Sequence, residues 1–104
     1  PIPEMGWEIP NNLARQIYLK RDTDNKTLSI SKSIYDERNE IIINFFKYIK
    51  KKYNVMLVYP SNTFCDRRRC YAHINNVPLY FDDDHMSKEG AKLISNVVIN
   101  KLLN

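Results

Sequence analysis

The sequence predicts a small α/β domain with about three helices, few strands and one hairpin. Apolar side chains recur at helical spacing along residues 33–53 and again along residues 88–103. Between these segments, residues 55–59 read VMLVY, and Asn54 and Pro60 bound them, which is typical of a short buried parallel strand. A helix followed by such a strand is half of a βαβ crossover, and this favours the α/β class.

The N-terminal third of the chain carries weaker signals. We predict a loop over residues 3–10, which includes Trp7, and a short helix over residues 11–18. Residues 21–30 are polar and indicate no regular structure. The first strong signal along the chain is therefore the long helix.

The long helix, predicted over residues 33–53, has an apolar face that we expect to be buried. The side chains on this stripe share helical spacing and are Ile34, Ile41, Ile42, Phe45, Ile49 and Tyr53. Three lysines, residues 50–52, lie near its end, where the negative pole of the helix dipole favours positive charge.

The C-terminal third predicts a hairpin followed by a helix. Residues 71–74 and 77–81 indicate two short strands joined at residues 75–76, two asparagines, which tolerate positive φ. The last helix is predicted over residues 88–103, with Ser87 as its N-cap. We expect its buried stripe to consist of Ala91, Ile94, Val98 and Leu102.

These elements carry more apolar surface than they can cover themselves. One central strand and a small hairpin cannot bury the apolar faces of three helices. We therefore expect either that another chain supplies the remaining strands or that two copies pack together as a homodimer.

Composition narrows the function classes. The 104 residues are 43% hydrophobic and 12% aromatic, which argues against disorder. The net charge of +4 is concentrated in residues 50–52 and 67–69, which match no nucleic-acid reader motif, so we expect no nucleic-acid partner. No apolar run reaches the roughly 20 residues of a membrane span, and no signal peptide is visible.

The chain starts without Met, so we expect it to be a piece of a longer protein.

The most informative motif is Asp82-x-x-His85, at the mouth of the last predicted helix. A carboxylate on one ring nitrogen fixes the imidazole tautomer, which leaves the other nitrogen free to take a proton from a hydroxyl. These two residues are therefore candidates for two members of a Ser-His-Asp triad. The sequence contains no Gly-Asp-Ser block and no Gly-x-Ser-x-Gly elbow, and its glycines are Gly6 and Gly90.

Other interpretations of the acidic loop stay open. An Asp-rich loop is commonly a solvated helix cap, and Asp83 and Asp84 with His85 could also hold a divalent cation. No further ligand cluster supports the metal interpretation, and we predict no metal and no cofactor. Ser61 follows the predicted strand but lacks a neighbouring glycine, which disfavours it as a nucleophile.

The two cysteines favour a disulfide. Cys65 and Cys70 have four residues between them, and a zinc site would need two more ligands in matched spacing, which His73 alone does not supply. A bridge would contribute roughly 2 kcal/mol and would imply an oxidising compartment. The alternative is two unlinked thiols in a reduced cytoplasm.

Three sequence stretches together resemble a known family. They are residues 3–10 (PEMGWEIP), the Cys65–Cys70 pair, and residues 78–91 (PLYFDDDHMSKEGA), the last being the most specific. They look like the C-terminal SGNH domain fused to family-3 membrane acyltransferases, which O-acetylate bacterial surface glycans. The resemblance implies a partial flavodoxin-like, three-layer fold, with residues 1–104 as the C-terminal portion of one domain.

The resemblance also implies roles for individual residues. Asp82 and His85 match the acid–base block of the family, and the cysteines match a pair expected to bridge in the periplasm. The serine and oxyanion blocks of the family precede the region that this chain resembles and have no match here. The isolated chain is therefore expected to be nearly inactive, and the parent protein to be anchored at the periplasmic face of the inner membrane.

Three function classes follow from these observations. The first is an O-acyltransferase that joins an acyl donor to a glycan acceptor, or a carbohydrate esterase built on the same site. The second is a non-catalytic module that binds glycan or a partner subunit. The third, nucleic-acid binding through the basic runs, is the least supported.

Overall fold

The computed structural model describes residues 1–19 and 28–104. The helices in these residues are α1 (Ile9–Tyr18), α2 (Lys32–Tyr53), α3 (Ser61–Phe64) and α4 (Lys88–Leu103). The strands are β1 (Ser29–Ser31), β2 (Arg69–Tyr71), β3 (His73–Ile74) and β4 (Val77–Pro78). β1 pairs antiparallel with β2, and β3 with β4. The predicted α/β class is confirmed.

The three predicted helices are present, with shifted ends in two cases. α1 begins at Ile9, two residues earlier than predicted, because the Glu8 side chain caps it by accepting a hydrogen bond from the Asn11 N–H at 2.9 Å. α2 begins at Lys32, one residue earlier than predicted, and is capped after Tyr53 by Asn54, which adopts the left-handed conformation with φ of 51°. A fourth helix, the single turn α3, was not predicted.

The predicted buried stripe of α2 is wrong. Ile34, Ile41 and Phe45 are 42%, 88% and 52% exposed, while Tyr35 is the buried residue of this helix. The face that contacts β1 and β2 runs instead through Tyr35, and Ile43 packs partly against the core. The sequence has apolar side chains on more than one face of α2, and periodicity alone does not show which face the small sheet covers.

The predicted buried parallel strand over residues 55–59 is also wrong. These residues form no strand, and Val55 and Met56 are 38% and 47% exposed. A parallel strand needs a neighbour to pair with, and the strands that the structure describes pair with one another. Leu57 instead accepts a hydrogen bond from Lys101 Nζ through its carbonyl, at 2.8 Å.

One strand was missed by the sequence analysis. Residues 21–30 were interpreted as irregular, and of these the described part begins at Leu28 and enters β1. Residues 21–27 lie outside the described residues. β1 aligns Ile30 with Cys70, and both side chains are buried. Leu28 and Ile30 alternate with two serines, but a strand of three residues is too short to stand out in the sequence.

The hairpin and the last helix follow the sequence closely. β3 and β4 are shorter than predicted and join at Asn75 and Asn76, whose φ angles are 48° and 62°. α4 spans the predicted residues, but its predicted stripe is half-buried rather than buried, and Leu102 is 68% exposed. Among the residues described, none of the helices combines the length and apolarity that crossing a bilayer requires.

The core lies between the N-terminal segment, the β1–β2 sheet and residues 79–80. Its largest buried side chains include Tyr35, Phe64 and Tyr80. The rings of Phe64 and Tyr80 meet edge to face with centroids 5.9 Å apart. Because Leu79 and Tyr80 are anchored in this core, the residues that follow them start from a fixed position.

Candidate active site

Residues 79–87, hereafter the site loop, connect the hairpin to α4. The loop is closed by backbone hydrogen bonds from Phe81 N–H to the His85 carbonyl at 3.0 Å and from Ser87 N–H to the Leu79 carbonyl at 2.8 Å. The buried Tyr80 hydroxyl donates to the Pro3 carbonyl at 2.7 Å. Burial, together with the nearby Tyr35, raises the pKa of Tyr80, so its hydroxyl stays protonated and available as a donor.

The N-terminal segment holds the loop from outside. Met5 N–H donates to the Asp83 carbonyl at 2.9 Å, and Ile9 N–H donates to the Asp82 carbonyl at 3.3 Å. Met5 and Ile9 are themselves buried in the core. Residues 3–10 therefore fix the backbone of the site loop through these two hydrogen bonds.

The predicted N-cap of α4 is confirmed and ties the helix to the loop. Ser87 Oγ accepts from the Gly90 N–H at 3.0 Å and donates to the Pro78 carbonyl at 2.7 Å. A Cβ atom added at Gly90 would lie 2.3 Å from the Leu79 carbonyl oxygen. Only glycine permits the first turn of α4 to approach the loop this closely.

Asp82 and His85 are brought together as predicted. Asp82 Oδ1 accepts from the Asp84 N–H at 3.0 Å and from the His85 N–H at 2.7 Å. Its other oxygen, Oδ2, lies 2.8 Å from His85 Nδ1. The carboxylate is therefore fixed by its own loop and engages one ring nitrogen, which leaves Nε2 as the nitrogen that can accept a proton.

Two further side chains contact the imidazole. Asp84 Oδ1 lies 2.8 Å from the same Nδ1 atom as an ion pair. Phe81 stacks on the ring with centroids 5.4 Å apart and planes inclined by 23°. Both contacts were missed by sequence reasoning, because the Asp-x-x-His spacing points only to Asp82 and no pattern marks Phe81. The His85 side chain is 65% exposed, so the ring is open to a reacting group.

The electrostatics of the pair favour a charged imidazole and an ionised carboxylate. The hydrogen bond that Asp82 accepts from the imidazole is the largest cause that raises the pKa of His85, followed by the charges of Asp82 and Asp84. Desolvation alone would raise the pKa of Asp82, but the backbone N–H groups of Asp84 and His85 and the imidazole together lower it. The arrangement can therefore stabilise an imidazolium formed when Nε2 takes a proton.

The metal interpretation gains one observation and meets one objection. Asp82, Asp84 and His85 each place a ligand atom within 4.8 Å of the others. The same contact is the one expected of an Nδ1–H donor paired with a carboxylate, so this geometry is explained without a cation. The metal interpretation therefore gains no support beyond the cluster itself. Asp83, which was grouped with Asp84 in that interpretation, does not take part in the cluster.

The other residues singled out in the sequence lie elsewhere. Ser61 is buried at the start of α3 and lines two cavities with Lys32 and Asn62, and the described lining of these cavities does not include His85. Cys65 and Cys70 form the predicted disulfide. His73 is 1% exposed and belongs to the packed interior.

Comparison with known proteins identifies one family. The family model described as "SGNH domain (fused to AT3 domains)" matches residues 1–100. No curated protein and no solved structure matches the chain. The match confirms the resemblance, and the α/β architecture described here is consistent with part of an SGNH fold.

Proposed function

Because this chain belongs to the family of SGNH domains fused to AT3 domains, we propose that it supplies the aspartate and histidine of a serine-type O-acyltransferase site. The observation that carries the proposal is the contact of 2.8 Å between Asp82 Oδ2 and His85 Nδ1, within a loop fixed by its own backbone. The exposed imidazole is placed to act on a group outside the chain.

In the proposed mechanism, His85 moves one proton in each half of the reaction. Nε2 takes the proton of a serine hydroxyl while the serine oxygen bonds to the acyl carbon of the donor. The imidazolium, held by Asp82, then gives this proton to the leaving group as the donor bond breaks. In the second half, Nε2 takes the proton of the glycan hydroxyl that attacks the acyl-enzyme, and returns it to the serine as the acylated glycan leaves.

The serine and the oxyanion donors belong, in this proposal, to an upstream part of the same domain. Residues 1–104 are then the C-terminal portion of that domain and carry part of its site, and the isolated chain is inactive. The surplus of exposed apolar surface on α2 and residues 55–59 supports a packing partner of this kind. A homodimer is the alternative occupant of that surface.

We place the parent protein in the membrane, with this domain on the periplasmic side. The fusion of the family to AT3 domains supports membrane anchoring. The Cys65–Cys70 disulfide supports an oxidising compartment on the outer side of that membrane.

The test compares carboxylates in the full-length protein that carries this domain. Asp82→Asn removes the group that holds the ring, and in a well-studied triad this change costs on the order of 10⁴ in turnover. His85→Ala is expected to abolish acylation of the surface glycan. Asp83→Asn is the matched control, because Asp83 contributes its backbone carbonyl and keeps it in the variant.

The measured quantities are glycan acylation and the hydrolysis of a small acetate ester. Near-wild-type acylation by His85→Ala would overturn the enzymatic proposal and favour a glycan- or partner-binding module. Loss of both acetate hydrolysis and glycan acylation in His85→Ala would show that the two activities use one site. Hydrolysis without any transfer to glycan in the wild-type protein would indicate an esterase.

A further inference from the structure

Two carboxylates reach the same nitrogen of His85. Asp82 Oδ2 and Asp84 Oδ1 each lie 2.8 Å from Nδ1. We propose that the two have divided roles: Asp82 orients the imidazole, and Asp84 is a second positioning residue that stabilises the ring in its charged form. This inference deepens the proposed function and rests on it for its catalytic consequence.

The hydrogen bonds distinguish the two carboxylates. Asp82 makes a hydrogen bond to Nδ1 and also accepts two backbone N–H groups, so its position is fixed from three sides. The Asp84 contact with Nδ1 is an ion pair. One N–H points mainly at one acceptor, so the direction of the ring follows the fixed carboxylate, while the second carboxylate contributes its negative charge.

The solvent exposure of the two side chains limits how strongly Asp84 stabilises the charged imidazole of His85. Its side chain is 42% exposed and that of His85 is 65% exposed, so solvent and salt screen their attraction. Among the described residues, the charged groups that raise the pKa of His85 are Asp82, Asp84 and, most weakly, Asp83, which belong to the site loop. The N-terminal segment that packs on this loop reaches it through backbone hydrogen bonds.

The catalytic consequence is a balance between two steps. A second negative charge helps Nε2 to accept the proton of the attacking hydroxyl, because it stabilises the imidazolium that results. The same charge keeps the imidazole of His85 protonated up to a higher pH in the free enzyme, and a protonated imidazole cannot act as a base. In addition, Asp84 remains beside Nδ1 when Asp82 is replaced, so its charge still stabilises the imidazolium.

The first experiment measures His85 directly, by following its imidazole resonances against pH in the full-length protein that carries this domain, with labelled histidine. We expect Asp84→Asn to move the titration midpoint of His85 to lower pH, while Asp83→Asn leaves it close to wild type. Asp84→Glu keeps the charge and should restore the midpoint. The ¹⁵N shifts of the neutral ring should report the same Nδ1–H tautomer in wild type and Asp84→Asn, and a changed tautomer population in Asp82→Asn.

These outcomes decide the inference without any activity assay. Equal midpoints for Asp84→Asn and Asp83→Asn would overturn the charge-stabilising role of Asp84. A changed tautomer in Asp84→Asn would overturn the division of roles. Dispersed amide spectra of each variant show that the fold is kept, and Asp84→Glu covers the case in which Asp84→Asn alone disturbs the loop.

The second experiment uses the full-length protein and tests the catalytic consequence. We expect the acid limb of the pH profile of kcat/KM to move to lower pH in Asp84→Asn, and the Asp82→Asn/Asp84→Asn double variant to lose more activity than Asp82→Asn alone. If the midpoint of His85 moves as expected but activity does not depend on His85 at all, the division of roles stands and the proposed function fails.

Discussion

Two loops of this chain use the same backbone device with different partners. In the loop that follows Cys65, Asp66 Oδ1 accepts the N–H groups of Arg68 and Arg69 at 2.7 and 2.8 Å. In the site loop, Asp82 Oδ1 accepts the N–H groups two and three residues further on in the same way. Both aspartates thus close their own turn, a role for which this residue type is well suited.

The difference lies in the second carboxylate oxygen. Asp66 Oδ2 accepts a hydrogen bond from the Tyr71 hydroxyl, whereas Asp82 Oδ2 faces His85 Nδ1. The Asp66 loop is also crossed by the Cys65–Cys70 disulfide. The contacts of the Asp66 loop therefore only hold the loop together. The site loop, in contrast, presents the exposed imidazole of His85 to solvent. The comparison shows that an aspartate turn becomes a candidate active site through the partner of its second oxygen.

The largest stability effect is expected at the foot of the site loop. Gly90→Ala would place a Cβ atom 2.3 Å from the Leu79 carbonyl oxygen, and this oxygen also accepts the Ser87 N–H. Because the clash is with backbone rather than with a flexible side chain, we expect a loss of about 3 kcal/mol in the free energy of unfolding. Urea denaturation of the wild type and of Gly90→Ala measures this difference in the free energy of unfolding.

A matched control is Gly6→Ala, where an added Cβ meets nothing within 4 Å and the strain comes from φ of 82° alone. We expect this variant to lose about 1 kcal/mol. A smaller loss for Gly90→Ala than for Gly6→Ala would show that the site loop is not held rigidly against α4.

The next effect is expected in the Asp66 loop. Replacing both cysteines by serine removes a link across a sequence separation of 5, and the loop-entropy relation gives a loss of about 2 kcal/mol. The Asp66 turn should persist, because its hydrogen bonds do not depend on the bridge. Urea denaturation of the double variant checks the stability, and the amide shifts of Arg68 and Arg69 check the turn.

The matched observation is made on His85 in the same double variant. Its titration midpoint should stay unchanged, because the described carboxylates that raise the pKa of His85 lie in the site loop. A moved midpoint would mean that the two loops are coupled, which would contradict their treatment as independent turns.

The sequence was informative where structure is decided locally. The Asp82–His85 contact, the Ser87 cap and the turn at Asn75 and Asn76 each depend on residues within three positions of one another, and all were predicted. The strand predicted over residues 55–59 failed because strand formation needs a neighbour far away in sequence. The buried face of α2 failed for a related reason, since a helix with apolar residues on several sides does not show which one is covered. Asp84 was missed because its contact depends on side-chain geometry that spacing alone does not specify.

The smallest effect, and the one that separates the two loops most directly, is their response to pH. Tyr71 is the main cause that holds the pKa of Asp66 at about 2, below its ordinary value of 3.8. A lowered carboxyl pKa contributes stability that is present above 3.8 and is lost as the pH falls toward 2. The Asp66 loop should therefore weaken only in acid.

The site loop should respond at both ends of the pH scale. The pKa of Asp82 is lowered, so its contribution is also lost in acid. The pKa of His85 is raised above 6.5, so its contribution is complete below that value and is lost as the pH rises through the pKa of the folded state. Amide hydrogen exchange, compared at matched intrinsic rates, should thus show the His85 N–H becoming less protected on the alkaline side while Arg69 does not change. Parallel loss at both amides would mean that the partner of the second oxygen does not distinguish the loops, and the comparison would fail.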